Sequence, residues 1–231
     1  MNKVSSPLIS VIIPNYNHAQ YLGRALQSVL DQTYTHWEAI VIDNYSSDNT
    51  DEVIARFIDP RITYFKIHNN GVIAASRNAG ILTAKGDWVA FLDSDDYWYP
   101  GRLEVVINGI KHDNTIDVFS TNEIQVDLIE GKSRLLRYGP FCENFYKTLL
   151  TEGNKASTSA TLVRYDFLKI SGILFRENSR FVTVEDYDFW MLLAKAGAKF
   201  CFILSAQGEA TIHSDNTSGQ IERHKQNLVN L

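Results

Sequence analysis

Hydrophobic positions follow two rhythms in the first half of the chain. LISVII (8–13) is an unbroken, largely β-branched run, the pattern of a strand covered on both faces, and Pro14 is expected to stop it. WEAIVID (37–43), RITYFKI (61–67) and WVAFLD (88–93) repeat that pattern. Between them the spacing turns helical. NYNHAQYLGRALQSVL sets Leu22, Ala25, Leu26, Val29 and Leu30 in one stripe, with Asn17 and Gln20 as a cap pair. SSDNTDEVIARF puts Val53, Ile54 and Phe57 on one face. A third helix is expected from Val72 to Lys85, with Gly86 in the left-handed position past its end. Pro100 opens a fourth, carrying Leu103, Val106, Ile107 and Ile110.

Strands alternating with helices at this spacing predict an α/β fold, a mainly parallel central sheet with helices on both faces. Right-handed crossovers gather the strand C-termini on one edge, where ligands of such sheets bind. The segments meeting there are PNYN, DNYSSDNT, HNNG and DSDD, all polar. The second half is less regular. VFSTNEIQVDLIEGKSRLLRY reads as two strands around a Glu130-Gly131 turn, CENFYKTLLTEG as a short helix, and STSATLVR and KFCFIL as strands. EDYDFWMLLAKAG is a strong helix with Gly197 past its end. TIHSDNTSG reads as loop, and QIERHKQNLVNL as a helix with little to pack against. The chain carries no repeat, low-complexity tract or linker. It is read as one domain over 1–231, with a 7–112 half and a 113–231 half, the central sheet being accompanied by a smaller mixed region.

Composition removes several classes. With 22 basic and 27 acidic residues the net charge is −5, which gives no footprint for nucleic acid. Cys142 and Cys201 form no CxxC pair and read as reduced thiols. No apolar run approaches the roughly 18 residues of a membrane span, and PLISVIIP is too short for a signal segment. A soluble cytoplasmic protein is expected. Lys132, Arg134 and Arg137 form either a solvated turn or a contact for an anionic membrane surface.

The polar rim carries the candidate chemistry. Asp93, Asp95 and Asp96 crowd together after a buried strand, and like charges so placed repel. Asp93 and Asp95, two apart, point the same way and could share Mg2+ or Mn2+ with a diphosphate; the alternative is a solvated acidic loop capping the next helix. Asp96 reads as structural. Asp43, ending the second strand, is either a turn cap or a partner for a base N–H or ribose hydroxyl. Arg77 is either an exposed helical arginine or a contact to base or phosphate. Glu185 and Asp186 begin a helix, where negative charge is favoured in any case, yet a carboxylate held firmly at a cleft also suits a general base. Tyr97, Trp98 and Tyr99 are either core anchors or a platform for a sugar face.

With these residues in view, the chain resembles family 2 glycosyltransferases of the GT-A fold. The opening strand with N-Y-N, the strand ending at Asp43, and GVIAASRNAGILTAKGDWVAFLDSDD carry the likeness over about 7 to 104, and VEDYDFWMLLAKAG resumes it. The resemblance implies that Pro14, Asn15 and Tyr16 border the nucleotide pocket and that Asp43 binds uracil. It implies that Arg77, Asp93 and Ser94 hold the nucleotide-sugar and that Asp95 ligates the metal, with His213 in the HSDNTS loop as a further contact. Asp186, with Glu185 beside it, would be the catalytic base. The implied reaction is a single inverting displacement from a UDP-sugar, dependent on Mn2+ or Mg2+, onto a saccharide or lipid-linked saccharide of a bacterial surface glycan. One departure stands out: where the family commonly reads DDGS, this chain has Asp43-Asn44-Tyr45-Ser46. A sugar-1-phosphate nucleotidyltransferase is the alternative enzyme, but PNYNHAQ lacks its Gly-rich loop, and no GxGxxG marks a dinucleotide oxidoreductase. A non-catalytic nucleotide-sugar-binding subunit is the non-enzyme alternative.

Overall fold

The computed structural model describes residues 6–141, 144–214, 216 and 221–231. Cys142 and parts of the 213–220 loop therefore lie outside the described residues, while Cys201 is a free, half-buried thiol. The first half builds β1 (Ile9–Asn15), α1 (Ala19–Leu30), β2 (Trp37–Asp43), α2 (Thr50–Ile54), β3 (Ile62–Lys66), α3 (Ile73–Thr83), β4 (Trp88–Phe91), β5 (Tyr97–Trp98) and α4 (Arg102–His112). The second half adds β6 (Val118–Asp127), β7 (Lys132–Leu136), α5 (Phe145–Glu152), β8 (Thr161–Arg164), α6 (Tyr165–Ser171), α7 (Glu185–Lys195), β9 (Phe200–Ile212) and α8 (Ile221–Leu228). The strands join in the order β3-β2-β1-β4-β8-β6-β9-β5, with β7 paired to β6. β3, β2, β1 and β4 run parallel, whereas β8 is antiparallel to both β4 and β6. This is the GT-A arrangement expected, a parallel half continued by a mixed one.

Alternate residues of the buried strands feed two cores. Ile9, Val11 and Ile13 of β1 pack with α1 and α4 on one face. Ile12, Ile40, Ile42 and Phe91 meet α3, α5 and α7 on the other. Pro14 does not end β1, which continues to Asn15. Leu92 donates to the Ile12 carbonyl, so by the two-residue period Pro14 faces the same side, where β4 has already ended and no ladder bond is lost.

Other boundaries differ for equally local reasons. Asn17 adopts φ +52 and gives α1 no cap; the Ala19 N–H instead donates at 2.9 Å to Asp48 of the following loop. Gly86 is not a left-handed cap. It is needed for close approach, since a Cβ there would lie 2.7 Å from the Leu8 carbonyl oxygen. β9 runs well past the expected KFCFIL, because β6 and β5 supply partners for its polar second half. α8 does pack: Asn227 Nδ2 donates to the Val182 carbonyl at 2.6 Å, and His224 Nδ1 lies 3.0 Å from that of Thr183.

Candidate active site

The strand ends meet around a cavity of about 320 Å3. Pro14, Asn15 and Tyr16 line it from the end of β1, and Arg77 from α3. Asp93, Ser94 and Asp95 enter from the turn after β4, Glu185 and Asp186 from the start of α7. Asp43 does not line it. Asp43 is fully buried, accepting from Asn15 Nδ2 at 2.9 Å and from the Ser46 N–H at 2.9 Å, and it ties β1 to the loop after β2. Asn44, the next residue, faces the cavity instead.

The three crowded aspartates take three different partners. Asp93 Oδ1 accepts from Arg77 Nη2 at 2.8 Å, and its Oδ2 from the Thr158 hydroxyl at 3.2 Å. Asp96 turns inward, accepting from the Ser159 hydroxyl and from the Thr211 N–H at 2.8 Å. Burial, then the charge of Asp95, pushes the Asp96 carboxyl well above its ordinary range. It is structural, as its sequence position suggested. Asp95 faces an imidazole and an amide: its Oδ2 lies 2.9 Å from His213 Nε2 and 3.0 Å from Asn216 Nδ2. Burial and then Asp93 raise the Asp95 carboxyl, against the pull of His18 and His213.

Arg77 is not the exposed helical arginine that spacing alone allows. It is 3% exposed and bridges two elements, Nη2 to Asp93 and Nη1 to Glu185 Oε1 at 2.8 Å. Burial works against its charge, but Asp93 and Glu185 outweigh that and shift the guanidinium upward. Its helix is pinned by Asn78, which exchanges hydrogen bonds with the Phe175 backbone at 2.8 and 2.9 Å. Asp186 lines the cavity half-buried, accepting from Asn154 Nδ2 at 2.9 Å. Burial first and Glu185 second push its carboxyl up to about 7, with Arg77 opposing. Thr183, also on the cavity wall, holds φ +75, an uncommon conformation for a β-branched residue, just before α7.

Two participants escaped the sequence reading. His18 stands at the start of α1, its Nδ1 3.0 Å from the Ser94 hydroxyl. Its ligand atom and those of Asp95 and His213 all lie within 4.8 Å of one another. Tyr21, one turn further along α1, stacks on His213 at 4.4 Å between ring centroids. Asn216 is the second. A single histidine and a single asparagine in polar loops carry no spacing signal, and only the return of β9 to the rim brings His213 and Asn216 to Asp95. Trp98 is fully buried, donating to the Ser159 carbonyl at 2.9 Å, and neither Tyr97, Trp98 nor Tyr99 lines the cavity.

A parallel α/β half continued by a mixed half, with acidic and imidazole groups gathered beyond the strand ends, is the architecture of the GT-A fold. The profile of glycosyl transferase family 2 matches residues 10–169, and the chain belongs to that family. It is 31% identical to the Escherichia coli UDP-Glc:alpha-D-GlcNAc-diphosphoundecaprenol beta-1,3-glucosyltransferase WfgD, over 81% of this chain and 70% of that one. It is also 31% identical to the chondroitin synthase of Pasteurella multocida, over 92% of this chain, and to a glycosyltransferase of Rickettsia felis, over 95%. The chain spans only 21% and 36% of those two proteins. In fold it is similar to S. aureus TarS 1-349 in complex with UDP-GlcNAc, with TM-score 0.76 and 22% identity over 92% of this chain and 60% of that one. It is likewise similar to the mannosyltransferase PcManGT of Pyrobaculum calidifontis in complex with GDP-Man and Mn2+, with TM-score 0.70 and 20% identity over 98% and 63%.

Proposed function

We propose that this chain is the catalytic unit of an inverting glycosyltransferase. It takes a UDP-sugar as donor, depends on Mn2+ or Mg2+, and glycosylates a hydroxyl of a saccharide or lipid-linked saccharide during assembly of a bacterial surface polysaccharide. It works on the cytoplasmic side, with peripheral membrane contact through its acceptor; among the described residues no helix is long and apolar enough to cross a membrane. The observation that carries the reading is one cavity lined by His18 and Asp95, two of the three members of a cation-type donor set, and by a carboxyl shifted to about 7. WfgD, by its name a user of UDP-Glc, and the UDP-GlcNAc held by TarS support the donor class.

The donor set fits a divalent cation. Two imidazoles and one carboxylate lie within 4.8 Å of one another, and nitrogen ligands suit Mn2+ better than Mg2+. Bound there, the cation offsets the charge that builds on a departing diphosphate. His18, Asp95 and His213 would hold it, with Asn216 and Tyr21 fixing the orientation of Asp95 and His213. Arg77 supports the nucleotide by holding Asp93 in place. Glu185, committed to Arg77, is a positioning residue, which leaves Asp186 as the base. The acceptor oxygen bonds to the anomeric carbon as the bond to the diphosphate oxygen breaks, and the hydroxyl proton passes to Asp186. A carboxyl shifted to about 7 is a stronger base than an ordinary aspartate and is still ionised at slightly alkaline pH.

The test is turnover of a panel of nucleotide-sugars in Mn2+. Asp186→Asn is expected to lower transfer about 10²–10⁴-fold, and Asp95→Ala to remove the Mn2+ dependence. Both should keep the wild-type circular dichroism spectrum. Undiminished transfer by folded Asp186→Asn would discard the assignment of the base.

A further inference from the structure

We infer that Asn44, not Asp43, reads the nucleobase, and that it does so as a hydrogen-bond donor. The inference rests on the nucleotide-sugar reading above and adds to it the edge of the base that is recognised. Asp43 has no free acceptor to offer a ligand: both of its oxygens take internal donors, and it lies outside the cavity lining. Asn44 does line the cavity. Its Oδ1 accepts from the Asn69 N–H at 2.9 Å, which settles which way round the amide lies, because a backbone N–H requires an acceptor. Nδ2 and its two hydrogens are then left over, and they have no partner among the described residues.

The orientation is held twice. The Asn44–Asn69 bond joins the loop after β2 to the loop after β3. Tyr45 and His68 join the same two loops, their rings stacked at 3.9 Å and 12°. Tyr45 sits at φ +50, the left-handed region, which costs a tyrosine something a glycine would not pay; the ring stack offsets that strain. Turning the amide over would oppose two donors and break one of these ties. The location also suits a base. β1 lies between β2 and β4, so the ends of β2 and β4 are about two strand spacings, ~10 Å, apart. A nucleotide with its diphosphate near Asp95 therefore places its base near Asn44.

An Nδ2 donor pairs with carbonyl or ring-nitrogen acceptors. It matches the O2 and N3 of cytosine or the carbonyl oxygens of uracil, and it cannot accept the imide N–H of uracil. Asn44→Asp isolates this feature, since one carboxylate oxygen still serves the Asn69 N–H while the donor becomes an acceptor. Calorimetry of UDP and CDP in Mn2+, on wild type and Asn44→Asp, reads the outcome. The ratio of the two dissociation constants is expected to move at least ~10-fold in favour of UDP in the variant. Repulsion between the added carboxylate and the diphosphate is common to both nucleotides and cancels in that ratio. A ratio that stays put while both nucleotides bind overturns the role of Asn44 and leaves the functional reading intact. If wild type binds neither nucleotide, both readings fall.

Discussion

Asp186 shows how a single residue can serve activity at a cost to stability. Its carboxyl titrates at about 7 in the folded protein, chiefly through burial, whereas an aspartate in the unfolded chain titrates near 3.9. Between those values the folded protein keeps a proton that the unfolded chain has lost, so stability falls as pH rises from about 4 to about 7. Proton abstraction needs the ionised form, so transfer should rise through the upper end of the same window. Asn at 186 has no such titration. The melting temperature of Asp186→Asn relative to wild type is therefore expected to be higher at pH 8 than at pH 5, while transfer is lost at both. Glu123, also pushed to about 7 by burial, is present in both proteins and does not affect the comparison. Equal differences at the two pH values would show that burial of Asp186 carries no such penalty. Acidic residues of this kind were legible in the sequence because clustered carboxylates demand an explanation. Their separate fates were not, since Arg77, Ser159 and His213 reach Asp93, Asp96 and Asp95 from distant parts of the chain.

At the level of elements, the apolar runs located the parallel strands well, because burial on both faces leaves few polar positions to blur the pattern. What the runs could not reveal is what happens at their ends. Pro14 continues β1 because its neighbour has already ended, and the N-terminus of α1 is capped from another loop. That cap has a consequence at the site, since His18 immediately precedes α1. Asp48 accepts from the Ala19 N–H with one oxygen and from Thr50 with the other, which locks the α1 entry onto the loop after β2. Asp48→Ala is expected to cost about 1 kcal/mol in urea unfolding, the usual loss for a removed helix cap. It should also weaken Mn2+ binding several-fold by loosening His18, although Asp48 touches none of the three donors. A variant that loses stability but binds Mn2+ as wild type does would show that His18 is held by Ser94 and Tyr21 alone. The polar half of β9 was illegible for a related reason: its residues alternate weakly, and only β5 and β6 on either side define it as a strand.

Across the whole molecule, the cation site gathers segments that the topology keeps apart. His18 lies between β1 and α1, Asp95 in the turn after β4, and His213 directly after β9, the long strand that closes the mixed half of the sheet. A cation held by all three joins the parallel half to the mixed half, and unfolding must release it. Linkage then sets the size of the effect: at about 100 times its dissociation constant a ligand specific to the folded state adds about 2.7 kcal/mol. For a chain of this length that is a rise of several degrees in melting temperature. Mn2+ is expected to produce that rise, Mg2+ a smaller one at equal concentration because of the two imidazoles, and EDTA to reverse both. His213→Ala and His18→Ala should each remove most of the Mn2+ shift. Any loss of stability in EDTA reports the packing of the ring, and the metal-dependent part is read as the difference between the two conditions. If both variants kept the full Mn2+ shift, the cation would have to be held elsewhere on the rim, and the three donors would be a hydrogen-bonded cluster joining the two halves unaided.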